Sequence, residues 1–227
     1  YEFLKKNKIR FNLINDIDMH QNESLLHNYK LIIFHGHPEY WTEKQIIILN
    51  KMITLGTNIA YFGANGLYWN TKYDKNIENI EVRKDNVNIG LLNNSLKNSE
   101  YLTPCDILKV TYNSSKKNKN GTVFKKKIKD HKLFNNISND IFGIKSSSNY
   151  KGGINAWEVD DTMSCKKDKN ENKKYIIADS DNGGEILYID NGKYKIFSGS
   201  TILWNSAILI DEGINQLTLN VINDLLQ

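Results

Sequence analysis

The sequence is short of cysteine, of long apolar runs and of net charge, and each shortage closes off a class of protein. Two cysteines in 227 residues, Cys105 and Cys165, are too few for a disulfide scaffold, and neither sits in a CxxC or Cys/His spacing of the kind that holds zinc. They either form one disulfide or remain two free thiols. No uninterrupted apolar run approaches the roughly 20 residues that cross a bilayer. Residues 1–30 also lack the charged start, apolar stretch and small-residue cleavage site of a signal peptide. No membrane association is expected, and the compartment stays open with a slight preference for the cytoplasm.

The excess of 30 Lys+Arg over 26 Asp+Glu gives a net charge of +4 and a pI near 8.8, too mild for a dedicated nucleic-acid binder. The basic stretch from Lys116 to Lys132 reads as a solvated loop or hairpin, because no aromatic side chains alternate with its lysines to stack on bases. Nucleic acid is therefore not an expected partner. Catalytic signatures are missing as well: there is no GxSxG, P-loop, GxGxxG or HExxH. Where a strand-to-helix elbow would place a Ser or Cys nucleophile, the chain reads Gly63-Ala64-Asn65-Gly66, and Asn65 cannot attack a carbonyl in that way.

What remains is an ordinary globular composition, 40% hydrophobic, 11% aromatic and 25% charged, which suits one domain over residues 1–227. Residues 9–14 (IRFNLI) alternate and read as a strand, and residues 30–34 (KLIIF) as a strand covered on both faces, joined by a short connection through His20 and Leu25. Thr42 opens a helix with Ile46, Leu49 and Ile53 on one stripe beside Ile47 and Met52, stopped by Gly56. Residues 58–62 (NIAYF) form the next strand, completing a parallel βαβ unit. Residues 70–150 are Asn/Lys-rich and read as an inserted irregular or β-rich lid. Order returns at residues 156–160 and 175–179, in a hairpin turning at Asn191-Gly192, and in a closing amphipathic helix over residues 214–226. Residues 2–6 resemble the back end of a helix, so further sequence upstream of Tyr1 is expected.

The densest chemistry is His35-Gly36-His37-Pro38-Glu39-Tyr40-Trp41, at the end of one parallel strand, and Gly63-Ala64-Asn65-Gly66-Leu67-Tyr68-Trp69, at the end of the next. Loops at the carboxyl ends of adjacent parallel strands share the edge where open α/β sheets bind ligands. Trp41 and Trp69 read as packing residues and His35 as a structural histidine. His37 and Glu39 are balanced between structure and function. An HxH pair without a third His or Cys is a weak zinc signal.

The order of segments, NDIDMH, YKLIIFHGHPEYW, TLGTNIAYFGANGLYW, AWEVDD and FSGSTILWN, resembles the C-terminal domain of the N,N-dimethylformamidase large (beta) subunit family, over residues 1–70 and about 150–227. That resemblance implies a flavodoxin-like, class I glutamine-amidotransferase-like parallel sheet with helices on both faces. It further implies a metal-dependent hydrolase acting on the carbon-nitrogen bond of a small amide. The implied cofactor is a mononuclear iron held by Tyr40, Tyr68 and Glu158, with Glu39 and Glu185 as competing carboxylates. His37 or Glu39 would move protons and Asn65 would face the developing oxyanion. An upstream domain or second subunit, and a homo-oligomer, are the macromolecular partners in view. The alternative is a catalytically silent module that binds a ligand or carbohydrate through its aromatic cleft.

Overall fold

The computed structural model describes residues 1–82, 102–114, 120–165 and 175–227. In chain order its strands are β1 (Leu31–Gly36), β2 (Tyr40–Trp41), β3 (Asn58–Gly63), β4 (Trp69–Tyr73), β5 (Ile80–Val82), β6 (Thr111–Tyr112), β7 (Phe124–Lys126), β8 (Ile141–Phe142), β9 (Asp160–Asp161), β10 (Ile176–Asp179), β11 (Glu185–Asp190) and β12 (Lys195–Ser198). Seven of these form the main sheet, in the order β1-β3-β12-β11-β10-β7-β8. Only β1, β3 and β12 run parallel; from β12 onward every neighbouring pair is antiparallel. The class is α/β, as the pattern predicts, but the sheet is mixed, which corrects the expectation of a parallel sheet throughout. The reason is visible in the Asn191-Gly192 turn: so short a connection can only return the chain antiparallel, whereas a parallel return needs a crossover.

Alternation along the central strands divides the interior into two cores. Ala60, Phe62, Ile186, Tyr188 and Phe197 face one side, with Leu217, Val221 and Leu225 of the Glu212–Leu226 helix. Their sequence neighbours Ile59, Tyr61, Leu187, Ile189 and Ile196 face the other, with Ile46, Leu49, Met52 and Ile53 of the Glu43–Thr54 helix. Helices therefore cover both faces. The Glu43–Thr54 helix begins in a capping box between Thr42 and Gln45, which satisfies amides that the first turn cannot. Its buried arc is Gln45, Ile46, Ile48, Leu49, Met52 and Ile53. Ile47, placed on the stripe from sequence, is 60% exposed, because it lies about 100° beyond Ile46 and opposite the middle of that arc. Leu49 is fully buried, and truncating it to alanine would cost about 2–5 kcal/mol.

Two further expectations change. Residues 9–14 form no strand; they alternate correctly but have no neighbour to pair with, and most are exposed. The connection through His20 and Leu25 is a helix, Asp16–Gln21, followed by a 3-10 turn, and an Asn15/Asp18 capping box starts it. Residues 70–150 contribute β7 and β8 to the main sheet and β4, β5 and β6 to two smaller ones. Of the basic stretch, residues 116–119 lie outside the described residues. Beyond them Lys125, Lys127, Lys129 and Lys132 pair with Asp181, Asp179, Asp140 and Asp224. Cys105 and Cys165 form a disulfide. Among the described residues no helix is long and apolar enough to cross a membrane.

Candidate functional site

Two glycines end the first two parallel strands side by side. Gly36 and Gly63 are register partners, and a Cβ on Gly63 would lie 2.3 Å from the Gly36 carbonyl oxygen, so only glycine permits this approach. The Ala64 amide donates to that same oxygen at 3.2 Å. Both loops consequently leave the sheet together. They stay joined because the Leu67 amide donates to the Pro38 carbonyl, and the Tyr68 and Trp69 amides both donate to that of Glu39. Tyr40 and Trp41 then pair with Trp69 and Asn70 as the short parallel ladder β2–β4.

Asn65 sits at the vertex of the second loop with φ +55°, a left-handed conformation that asparagine tolerates better than most residues. The turn is clamped from beneath. The Asn65 amide donates to Asp160 Oδ1 at 2.8 Å and the Tyr61 hydroxyl donates to Asp160 Oδ2 at 3.1 Å. The Gly66 amide in turn donates to the Tyr61 oxygen at 2.7 Å. Residue 66 must be glycine for this contact, since a Cβ there would stand 2.7 Å from the same oxygen. Burial pushes the Asp160 carboxyl up to about 7 against the pull of those two hydrogen bonds, and the Tyr61 hydroxyl far above the phenol range.

Above this clamp the Asn65 carboxamide nitrogen gathers three partners: His37 Nε2 at 3.0 Å, Glu39 Oε1 at 3.1 Å and Glu158 Oε2 at 3.1 Å. His37 Nε2 lies 2.8 Å from Glu158 Oε2 and 3.7 Å from Glu39 Oε2. Trp69 Nε1 donates to Glu39 Oε1 at 3.0 Å. The hydrogen bond to Glu158 raises the His37 pKa more than burial lowers it. The Asn65 carboxamide oxygen is buried without a partner.

Of the residues singled out from sequence, His37, Glu39, Asn65 and Glu158 are thus in direct contact. Tyr68 is half-buried beside them; burial first, then the charges of Glu39 and Glu158, raise its pKa. Tyr40 is 38% exposed, at the rim formed by β2. Glu185 stands apart, accepting the Thr162 amide, which leaves Glu39 and Glu158 as the carboxylates of the cluster. His35 instead meets Asn205, with Nδ1 3.0 Å from its carboxamide nitrogen. It lines a separate, mainly apolar cavity of about 260 Å³ with Phe3, Ile33, Phe62 and Ile222. Trp41 is a core residue, 3% exposed.

Sequence reasoning missed three members. Tyr61 looks like any core residue of a buried strand. Asp160 reaches the site from 95 positions along the chain. Tyr112 lies in the poorly patterned middle, yet its ring centroid is 5.7 Å from that of Tyr68, which is in turn 4.9 Å from Trp69.

Among the described residues no three His, Cys, Asp or Glu side chains by themselves form a metal cage. A metal here would have to recruit phenol or carboxamide oxygens as well. The chemistry of the donors suits a hard cation: two carboxylates, a phenol held neutral by burial and by its anionic neighbours, and a buried carboxamide oxygen without a partner.

A family model described as N,N-dimethylformamidase beta subunit-like, C-terminal, matches residues 1–216, including the middle that the motif resemblance left out. A comparison with curated proteins found no match.

Proposed function

Because the chain belongs to the N,N-dimethylformamidase beta subunit-like, C-terminal family, we propose that it hydrolyses the carbon-nitrogen bond of a small amide at the His37–Glu39–Asn65–Glu158 cluster. The observation that carries this reading is the 2.8 Å contact between His37 Nε2 and Glu158 Oε2, held by one carboxamide at the edge where parallel strands present ligands.

In this reading the His37–Glu158 pair takes a proton from water as its oxygen bonds to the amide carbon, and returns it to the departing nitrogen as the carbon-nitrogen bond breaks. Glu39 adds a second negative charge near the same nitrogen, its Oε2 3.7 Å from His37 Nε2. Asn65 orients the three side chains: its two N–H groups already face three partners, so a developing oxyanion would have to displace one of them. A mononuclear iron fits the donor chemistry. Tyr68 and Glu158 would hold it with Tyr40 from the rim, and it would supply Lewis acidity for the carbonyl and the water. The same proposal includes the finer fold relation, flavodoxin-like and glutamine-amidotransferase-like. The parallel β1-β3-β12 core and the Asn65 turn in the elbow position support it. It also reads the chain as one domain of a larger protein, with Tyr112 of the middle stretch shaping the pocket; the beta subunit-like family supports a partner subunit.

The test is amine release from formamides of increasing N-alkylation, with metal content measured on protein purified without chelators. Glu158→Gln and His37→Asn should each lower the rate about 10²–10⁴-fold with the fold intact by circular dichroism. A rate unchanged in both variants refutes the assignment. The half-exposed rings of Tyr68, Trp69 and Tyr112 favour one second reading, a silent module that binds a ligand through this aromatic face. Iron reconstitution separates the two. A tyrosinate charge-transfer band lost in Tyr68→Phe supports the hydrolase, and its absence in the unsubstituted protein supports the module.

A further inference from the structure

The ring that closes on Tyr68 from the far side is carried by a small unit outside the main sheet. Strand β6 pairs with β9 through only two residue pairs, Thr111 with Asp161 and Tyr112 with Asp160. The Asn113 amide adds a bond to the Val159 carbonyl at 3.0 Å, and its side chain bonds to Asp161. A two-stranded ladder of this length does not hold itself together in water. The Cys105–Cys165 disulfide stands at its open end, six residues before β6 on one side and four after β9 on the other. Ladder and bridge close a ring of chain that carries Tyr112, with Asp160 opposite it and Glu158 two residues upstream.

Each strand of the ribbon also has its own anchor. Before β6, Ile107, Leu108 and Val110 are fully buried, and the Ser198 hydroxyl donates to the Leu108 carbonyl at 2.7 Å. Beside β9, the Asp160 amide donates to the Ser200 carbonyl at 3.2 Å, and Val159 bridges to Thr201. Loss of the bridge should therefore free the ribbon locally while both cores stay packed. What it would disturb is the 5.7 Å edge-to-face contact between Tyr112 and Tyr68, which lies outside the main sheet.

We infer that Tyr112 is a third aromatic wall of the candidate site, beside Tyr68 and Trp69, and that the Cys105–Cys165 disulfide is the brace that holds it there. The site as described is then a property of the oxidised chain. Reduction by a dithiol takes two electrons and two protons, breaks the sulfur-sulfur bond and leaves two thiols, with the dithiol oxidised to its own disulfide. A ligand entering between these rings would meet Tyr112 in the oxidised form and an open flank in the reduced one. This deepens the functional reading, because it concerns the same site, but its test needs no turnover.

The full chain, purified without reductant, is first denatured and its thiols titrated. Fewer than one free thiol per chain is expected, and two would overturn the proposal at once. The protein is then labelled with fluorotyrosine, and the Tyr68 fluorine resonance is assigned through Tyr68→Phe. It is followed on adding dithiothreitol in the cold and, separately, in the oxidised Tyr112→Ala variant. The expected result is that both changes shift the Tyr68 signal in the same direction, while the indole signal of Trp204, buried in the other core, stays in place. A Tyr68 signal unmoved by reduction, in a chain still folded by circular dichroism, would overturn the brace. One unmoved by Tyr112→Ala would overturn the wall. If instead no formamide is hydrolysed by the oxidised protein, the hydrolase reading fails alone, since none of these spectra depends on it.

Discussion

The two halves of the main sheet handle their polar groups in opposite ways. Where β1, β3 and β12 run parallel, charged and strained groups are turned inward on one another. Asp160 is 1% exposed, Asn65 and Ser200 adopt positive φ, and the Asn65 carboxamide oxygen and Ser200 hydroxyl are buried without partners. Where β11, β10, β7 and β8 run antiparallel, the charged groups pair at the surface, Lys125 with Asp181 and Lys127 with Asp179, over an interior of Phe124, Phe142 and Ile177. The contrast shows on two carboxyl groups. Burial lifts Asp160 to about 7, whereas burial of Asp224 is outweighed by Lys132, Tyr188 and Lys195, which hold it below the ordinary range. Around the Asn65 turn, strain and unmet hydrogen bonds thus coincide with the candidate site.

The largest effect belongs to the disulfide. Cys105→Ser with Cys165→Ser removes a crosslink spanning 60 residues, worth about 4 kcal/mol in the chain-entropy model, and denaturant titration should find a loss of that order. Next comes Tyr61→Phe, which strands the buried Gly66 amide and one Asp160 oxygen. A loss of about 2–3 kcal/mol is expected, and a neutral result would mean that the clamp beneath Asn65 is not structural. On the antiparallel side, Asp224 supplies a sharper test. Its pKa is lower folded than unfolded, so its stabilisation is complete above the ordinary carboxylate range and disappears as pH falls through the folded value. Asp224→Asn should therefore flatten the acid limb of a stability-against-pH curve. The smallest effect belongs to Lys127→Ala, no more than about 1 kcal/mol, because its partner Asp179 shares an exposed setting.

The same contrast explains what could be read in advance. Loops after consecutive parallel strands must emerge at one edge, so the meeting of His37, Glu39 and Asn65 followed from the βαβ pattern alone. Glu158 was reached only through resemblance, since 93 residues separate it from Asn65 and no periodicity spans that gap. Tyr61 was legible as a buried strand residue, but nothing in NIAYF reveals that its hydroxyl would hold Gly66 and Asp160. Tyr112 escaped because a two-residue strand has no alternation to detect. Strands β7 and β8, of three and two residues, were hidden for the same reason. Residues 9–14 show the converse error: alternation marks a segment fit to be a strand, but only a neighbour with free amides and carbonyls makes it one.

The mixed sheet also orders the molecule in time. β11 and β12 meet across the Asn191-Gly192 turn, a loop closure that hairpins complete in about 1–10 μs. By contrast, the join between β12 and β3 brings Lys195 to Asn58 across 137 residues, and the entropy of that closure must be met before any contact repays it. During biosynthesis the His37 and Asn65 loops therefore emerge long before the strand that completes their edge. They meet Glu158 only once a segment 93 residues beyond Asn65 has folded back onto them.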